Sequence, residues 1–207
     1  MQYNLRYVIK VSISDLYKKR GEIQNLLMFS LPSTVEIAGQ SYPVRTDYRV
    51  ILEILVMLDD PDLSDGDKTE ALLRMFYVNQ SPDPMAAVEA FRRFVDPRSQ
   101  RKAQRSGSSS HIIDWSQDFD LMVAPINHIL GCEVRALDHL HWHTFLSAYL
   151  EIPPDSVFAR VLRIREKLRT GKKLEKYEKQ WYRSNMDLVT LRQKYSQTEK
   201  EVLDAWI

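Results

Sequence analysis

The sequence has few of the features that mark secreted, membrane-spanning or zinc-stabilised proteins. Its single cysteine, Cys132, cannot form an internal disulfide, and no cysteine cluster is available to bind zinc. The longest apolar run, around Val50–Leu58, is interrupted by Glu53 and is far shorter than the roughly 20 residues that span a bilayer. The N-terminus has no apolar segment with a small-residue cleavage site. We therefore expect a soluble protein of a reducing cytoplasm.

The composition also lacks the biases of fibrous or wholly disordered chains. Of the 207 residues, 44% are hydrophobic and 28% are charged, which is close to the average of globular proteins. A chain of this length forms one large domain or two small ones. It is long enough to bury a sizeable apolar core.

Charge is nearly balanced overall, with a formal net charge of +1, but it is uneven along the chain. Residues 29–96 contain 12 acidic and 6 basic residues, a net of −6, and include the acidic loop Asp59–Asp67. Residues 160–183 contain 10 basic and 3 acidic residues, a net of +7. Opposed blocks favour self-association or an acidic partner such as nucleic acid, although ordinary solvated helix faces would show the same pattern.

The clearest local pattern is a β-hairpin. Thr34–Ile37 and Ser41–Val44 carry β-branched and aromatic residues on either side of the turn Ala38-Gly39-Gln40. Pro43 confines the second strand to an edge or to its own end, because proline has no N–H to donate. We expect a short antiparallel pair near the N-terminal end of the globular part.

Helical patterns fill most of the remaining chain. The predicted N-caps are Asp47, Ser64, Asp83, Asp138 and Asp155, and the predicted helix stops include Gly131 and Gly171. Pro125 lies inside an apolar helical pattern and is expected to kink or break that helix. The predicted fold class is mainly α with a short N-terminal β-hairpin, in compact helical domains with a flexible basic, serine-rich loop.

The chain divides into five predicted segments. Residues 1–30 are an N-terminal extension whose origin is open: native sequence, a gene-start artefact or read-through from an upstream frame. Residues 31–96 are a β-hairpin plus helical region, 97–113 a flexible basic linker, 114–183 a helical region and 184–207 a C-terminal helical tail. The linker is assigned because Pro97–Ser110 has four basic residues, five serines, no acid and no large apolar side chain.

Metal-binding patterns are sparse. His139 and His143 would share one face of a helix, but the glutamate that zinc proteases place after the first histidine is missing. The acidic loop fails the register of a calcium loop, because Asp65 stands where glycine is required and Ala71 where glutamate is required. Aromatic packing explains the histidines better than a metal does. A metal-dependent enzyme would instead bind stoichiometric metal through His139 and His143.

Catalytic patterns are equally sparse. The six glycines form no phosphate-binding loop, and no G-x-S-x-G nucleophile elbow is present. Cys132 lies near His128 but has apolar neighbours and no orienting group, which is typical of a small buried hydrophobic residue. We therefore expect no enzymatic activity, no cofactor and no bound metal.

Three ordered segments resemble a known family. Leu31–Arg49 reads LPSTVEIAGQSYPVRTDYR, Asp118–Leu121 reads DFDL, and Leu140–Trp142 reads LHW with Phe145 three residues later. Together with the Pro154–Arg165 region, which has an isoleucine–arginine pair before a basic stretch, these segments resemble the tail assembly chaperones of long-tailed, siphovirus-type phages of Gram-positive bacteria. The resemblance extends over about residues 31–183. It departs at position 143, where a histidine replaces the second tryptophan of the family signature.

The resemblance implies a non-enzymatic protein that coats the tape measure protein, keeps it soluble and recruits tail tube subunits. Such proteins act in the host cytoplasm during infection, or are encoded by a prophage, and are absent from the mature virion. The resemblance supplies no catalytic residues. The predicted partner-binding residues are Trp142, Tyr149, Trp181, Arg163 and Arg165, and the alternative for the aromatic side chains is packing in the core.

Two further interpretations of the charge pattern remain open. The basic helix around Arg160–Arg183 could make the protein a nucleic-acid-binding accessory protein, with Trp181 and Tyr182 stacking on bases. The opposed charge blocks could instead join protomers of a homo-oligomer head to tail. The dependence of binding on salt concentration distinguishes phosphate binding from binding in an apolar groove, because only phosphate binding weakens steeply with ionic strength.

Overall fold

The computed structural model describes residues 30–79, 82–96 and 112–192. In these ranges the chain forms one two-stranded antiparallel sheet and eight α-helices, which confirms the predicted mainly α class with a hairpin near the N-terminus. The predicted extension, almost all of the linker and most of the tail lie outside the described residues. Among the described helices, none is long and apolar enough to cross a membrane.

The elements follow one another in a simple order. They are β1 Thr34–Ile37, β2 Gln40–Pro43, α1 Tyr48–Leu58, α2 Asp65–Phe76, α3 Pro84–Val95, α4 Trp115–Leu130, α5 Trp142–Leu150, α6 Val157–Arg169, α7 Lys176–Ser184 and α8 Met186–Val189. A 3₁₀ turn, Val134–Ala136, lies between α4 and α5.

The hairpin is tighter than its predicted form. Ala38 and Gly39 have φ angles of 50° and 79°, the left-handed conformation that a two-residue turn between twisted strands requires. Ile37 therefore pairs with Gln40, and β2 begins one residue earlier and ends one residue earlier than predicted. Pro43 is the last residue of its strand, in agreement with its missing N–H.

Three of the five predicted N-caps are confirmed. In each of them the side chain accepts a backbone N–H from the first turn of the helix that follows; they are Asp47, Ser64 and Asp83. The predictions of Asp138 and Asp155 are wrong. The caps are His141, whose ring accepts the N–H of His143, and Ser156, whose hydroxyl accepts the N–H of Ala159.

The predicted break at Pro125 is also wrong, because α4 continues through it from Trp115 to Leu130, and the predicted kink stays a prediction. Met122, Val123 and Ile126 on both sides of the proline are buried in the core, and this packing offsets the hydrogen bond that proline cannot donate. Gly131 ends the helix as predicted, with φ at 70° and its N–H donated to the carbonyl of Asn127.

Two clusters of apolar side chains hold the elements together. The main core combines side chains from both predicted helical regions, and Tyr48 stacks on Phe145 at its centre with ring centroids 4.6 Å apart. The second cluster is small and contains the buried residues Val161, Ile164 and Val189 from α6 and α8. Phe158 of α6 belongs to the main core, so α6 to α8 contribute four buried apolar residues, far fewer than α1 to α5.

Candidate functional site

Helix α7 is positioned against α6 by one buried carboxylate. Both oxygens of Glu178 accept hydrogen bonds from Nζ of Lys167 at 2.7 Å, and one of them also accepts the N–H of Glu175 at 2.8 Å. The hydrogen bonds from Lys167 lower the pKa of Glu178 below its ordinary value. Because the same side chain completes the capping box of α7, the start of the helix and its position on α6 are fixed together.

A groove of about 660 Å³ lies between α6 and α7. One wall is a single face of α7, formed by Tyr177, Trp181 and Ser184 at helical spacing. The other wall is formed by Arg160 and Arg163 of α6 and by Pro154 and Asp155, which precede the helix. We call this surface the basic groove.

Aromatic rings and guanidinium groups both line the basic groove. The Cζ atom of Arg160 lies 5.3 Å from the ring centroid of Trp181, within the range of a cation–π contact. Arg163 donates to the carbonyl of Pro154 at 2.7 Å. Tyr177 is 65% exposed, so its ring offers a flat surface to a partner. The groove can therefore receive an anionic group and a flat apolar group side by side.

Most of the positive charge around this groove is not neutralised. Ion pairs with Asp118, Glu178 and Glu166 neutralise three basic side chains of residues 160–183, namely Arg165, Lys167 and Arg169. The other seven form no ion pair with a carboxylate of the described residues; they are Arg160, Arg163, Lys172, Lys173, Lys176, Lys179 and Arg183. Residues 160–183, which include both arginines of the basic groove, thus keep an excess of positive charge.

A second groove, of about 510 Å³, lies between α1, α2 and α3. Its apolar lining consists of Leu55, Leu58, Leu72, Val88, Phe91 and Val95. Charged residues of both signs, among them Lys68 and Asp96, surround this lining. We call it the apolar groove. Leu72 and Phe91 are buried at its base, whereas Val88 is partly exposed at its edge.

The structure brings together two of the five predicted partner-binding residues, Trp181 and Arg163, in the basic groove. Trp142 is only 1% exposed and donates its ring N–H to the carbonyl of Val95 at 3.1 Å, so it packs in the core. Tyr149 is half-buried against Trp115, and burial raises its pKa. Neither Trp142 nor Tyr149 lines either groove.

Arg165 is 5% exposed and lies inside the fold, which corrects its expected place on the surface. Its guanidinium makes two hydrogen bonds to the carboxylate of Asp118, at 2.6 and 2.9 Å. It also donates to the carbonyls of Ile112, Leu188 and Val189 at 2.7 to 3.0 Å. The five donors of the side chain are thereby used within the chain, and none is available to a partner in this conformation.

The histidines do not form the expected helical pair. His139 precedes α5 and lies 3.2 Å through its Nε2 from the hydroxyl of Thr46, whereas Nε2 of His143 lies 2.8 Å from the carbonyl of Phe94. Residues 30–79, 82–96 and 112–192 contain no group of three or more histidine, cysteine or carboxylate side chains that could hold a metal ion. Cys132 is exposed, so the prediction of a buried residue is wrong.

The segments that carry the family resemblance contact one another. Asp47 and His141 form a one-residue antiparallel bridge, in which the N–H of Tyr48 donates to the carbonyl of Leu140 at 2.9 Å. The backbone N–H of Trp142 donates to the carbonyl of Thr46 at 2.6 Å. The DFDL and isoleucine–arginine segments contact each other through side chains, in the Asp118–Arg165 ion pair. These contacts therefore hold the fold together, and of the segments that carry the resemblance only the Pro154–Arg165 region contributes to a groove lining.

No curated protein and no solved structure gives a significant match to this sequence. The family described as Bacteriophage Gp15 protein matches residues 27–191, a range that includes both grooves and both pairs of motifs. The match extends over well more than half of the chain. The chain therefore belongs to the Bacteriophage Gp15 protein family, a phage family related to structure and assembly.

Proposed function

We propose that the protein is a tail assembly chaperone that binds the tape measure protein and helps to recruit tail tube subunits while a phage tail is assembled. Membership of a bacteriophage family supports a role in phage assembly. The resemblance of its motifs to tail assembly chaperones supports the chaperone role. The proposed binding surface for the tape measure protein is the apolar groove between α1, α2 and α3, and this groove is the structural observation that supports the proposal.

This groove has the chemistry that an amphipathic client helix requires. Its floor is rigid, because Leu72 and Phe91 are buried in the main core. Its apolar lining is matched to one face of a helix, and the charged side chains of both signs around it, such as Lys68 and Asp96, can meet the polar flanks of that helix. A long helical protein such as the tape measure protein repeats such faces along its length.

The test is co-expression with the tape measure protein of the same phage, followed by a tagged pull-down in roughly 0.5 M salt, which screens surface charges. We expect a complex that keeps the tape measure protein soluble. Val88→Glu places a charge at the edge of the apolar groove and should reduce the recovered tape measure protein about tenfold or more.

Met85→Glu is the matched control, because Met85 lies on the same helix, is 81% exposed and does not line the groove. It should leave recovery unchanged. Equal recovery with Val88→Glu and the wild type would contradict binding in the apolar groove. Failure of the wild-type protein to hold the tape measure protein at any salt concentration would contradict the chaperone role itself.

Recruitment of tail tube subunits has a separate test. Purified tail tube protein is added to the complex of chaperone and tape measure protein, and to the tape measure protein alone. We expect the tube protein to be retained by the complex at a higher level than by the free tape measure protein. Equal retention would contradict the recruiting role and leave the tape measure interaction intact.

A further inference from the structure

Helix α7 carries an aromatic face beside a basic one. Tyr177 and Trp181 lie one helical turn apart and line the basic groove. The neighbouring face is exposed and basic at spacings of three and four residues; it consists of Lys176, Lys179 and Arg183, and we call it the basic stripe. Proteins hold single-stranded nucleic acid with this combination, because the cations meet phosphates and the rings stack on bases.

The two rings of the basic groove differ in what they offer to a ligand. The ring of Trp181 is half-buried, and the guanidinium group of Arg160 already lies over it. The ring of Tyr177 is exposed, so one of its faces can receive a base. Arg163 uses one N–H on the carbonyl of Pro154, and its other N–H groups can still donate to a phosphate.

Two carboxylates also line this groove, but they do not cancel its positive charge. Glu178 is only 2% exposed, and both of its oxygens accept hydrogen bonds from Lys167. These hydrogen bonds lower the pKa of Glu178, and the charge of Arg163 makes a smaller contribution in the same direction. Asp155 is exposed and forms no ion pair with a basic residue of the described ranges. Three basic side chains, those of Arg160, Arg163 and Lys167, thus outnumber the two carboxylates, and Asp155 weakens the positive charge without removing it.

The positive charge extends beyond the groove, which favours a strand over a free nucleotide as the ligand. The groove volume of about 660 Å³ lies within the range of roughly 300–1,000 Å³ that is typical of sites for small organic groups. No residue of the basic stripe belongs to the groove lining. A single nucleotide in the groove would leave the stripe unused, whereas a strand carries further phosphates to it.

We propose that the basic groove binds single-stranded nucleic acid. One base stacks on the exposed ring of Tyr177, and the adjoining phosphates accept hydrogen bonds from Arg160 and Arg163. The following phosphates lie over the basic stripe. Bases inside a duplex are paired and stacked on one another, so they do not reach Tyr177, and the groove prefers a single strand.

This binding is separate from client binding. The two grooves share no lining residue, so a change in the basic groove leaves the apolar groove intact. Binding to phosphates weakens steeply as salt rises, whereas binding in the apolar groove persists. The basic-groove variants below should therefore still recover the tape measure protein in the pull-down. Loss of nucleic-acid binding and failure of the chaperone role are distinguishable results.

The experiment measures the fluorescence anisotropy of a labelled oligothymidylate of about 12 nucleotides, a length within the usual site sizes of single-strand-binding modules. At about 50 mM salt, where screening is weak, the wild-type protein should bind this strand at least tenfold more tightly than its duplex with oligodeoxyadenylate. Arg160→Ala with Arg163→Ala should weaken binding. This pair should also reduce the slope of log K against log salt by about 1.4, since each lost phosphate contact removes about 0.7.

The matched control for this pair is Arg74→Ala with Arg135→Ala. Both residues are exposed and lie outside the lining of the basic groove, and the change removes the same net charge. Affinity and salt slope should stay close to those of the wild type. Circular dichroism verifies that every variant is folded.

Two single positions separate stacking from repulsion. Tyr177→Leu removes the ring but keeps an apolar side chain, so it should weaken single-strand binding about tenfold with an unchanged salt slope, whereas Tyr177→Trp should retain the affinity. Asp155→Asn removes a carboxylate from the groove and should strengthen binding severalfold. Asp187→Asn makes the same change of charge at an exposed position outside the lining and should leave the affinity unchanged.

Three outcomes would overturn the proposal. The first is a folded wild-type protein that does not bind the strand at about 50 mM salt. The second is equal affinity for strand and duplex together with an unchanged affinity of Tyr177→Leu, which would mean that charge alone holds the DNA. In the third, polyglutamate of the same charge displaces the strand as well as unlabelled oligothymidylate does. The groove would then accept an acidic polypeptide, and base stacking would have no part in it.

Discussion

The two ends of the fold are stabilised in different ways. Helices α1 to α5 and the hairpin surround a core of aromatic and aliphatic side chains, in which Tyr48 stacks on Phe145. Helices α6 to α8 contribute four buried apolar residues, of which Phe158 packs in the main core, and Arg165 joins α6 to α4 and α8 by directional hydrogen bonds. Apolar packing tolerates changes that preserve volume, whereas a buried charge network depends on every partner.

The largest expected effect is the loss of Arg165. Arg165→Ala leaves the buried carboxylate of Asp118 without its cation and three backbone carbonyls without a donor. We expect the free energy of unfolding, measured by urea denaturation, to fall by about 3–5 kcal/mol. Amide exchange in α8 should increase more than exchange in α1, because the bonds to α8 are removed directly.

Arg163→Ala is the matched control for this change, since Arg163 lies on the same helix but is exposed. It should alter stability by no more than about 0.5 kcal/mol. Replacing both partners of the pair, with Arg165→Met and Asp118→Leu together, should recover much of the lost stability. Equal stabilities of Arg165→Ala and Arg163→Ala would contradict the comparison between the two ends.

A smaller effect is expected from a conservative change in the main core. Ile51 is fully buried in α1, and Ile51→Val removes one methylene group without exposing a polar atom. The free energy of unfolding should fall by about 0.5–1.5 kcal/mol, with cooperative unfolding preserved. Urea denaturation and calorimetry measure both quantities. A loss of unfolding free energy as large as that of Arg165→Ala would mean that the main core does not tolerate small changes in apolar volume.

The smallest expected effect is a local response to acid. The pKa of Glu178 is lowered by its hydrogen bonds from Lys167, so its contribution to stability is complete above about pH 4.5, its ordinary pKa. That contribution is lost as the pH falls through the lower pKa of the folded state. Amide exchange in α7, corrected for the intrinsic rate, should therefore increase relative to the middle of α4 below this pH.

Glu178→Gln removes the titrating group and should abolish the acid-dependent part of this difference. Its α7 exchange should then be raised equally at neutral and acidic pH. An unchanged acid response in Glu178→Gln would assign the effect to another carboxyl group. The difference in acid sensitivity between α7 and α4 would then not be due to Glu178.

Sequence alone predicted the features that depend on near neighbours. The hairpin has a glycine at a left-handed turn position, and Asp47, Ser64 and Asp83 precede the helices whose N–H groups they cap. Gly131 ends its helix for an equally local reason. In all of these positions, residues within four places along the chain decide the conformation.

The errors occurred where distant residues decide the conformation. Asp138 does not cap α5, because Leu140 and His141 first pair with the start of α1. Arg165 belongs to a basic run that is typical of a solvated face, and only its encounter with Asp118, 47 residues earlier, places it inside. The signal available was an acidic residue inside the apolar pattern of α4 and an arginine beside an inward isoleucine in α6.

The two grooves could be predicted from the sequence only in part. Trp181 and Arg163 were identified from aromatic and basic composition, and both line the basic groove. Arg160 was recognised as basic, but its position over Trp181 depends on how α7 lies on α6. The apolar groove has no local signature, because three helices contribute to it and each of them has an ordinary amphipathic pattern.

The long-range hydrogen bond from the N–H of Leu140 to the carboxylate of Asp47 has a consequence for the growing chain on the ribosome. The helix that Asp47 caps emerges first, but the amide that its carboxylate also accepts lies 93 residues later. The hydrogen bond from Arg165 to the carbonyl of Val189 can form only after a further 24 residues have been synthesised. Since synthesis is slower than helix formation, the hairpin end is assembled while the other end is still incomplete. The basic groove is thus finished last, when the nascent chain has passed Val189.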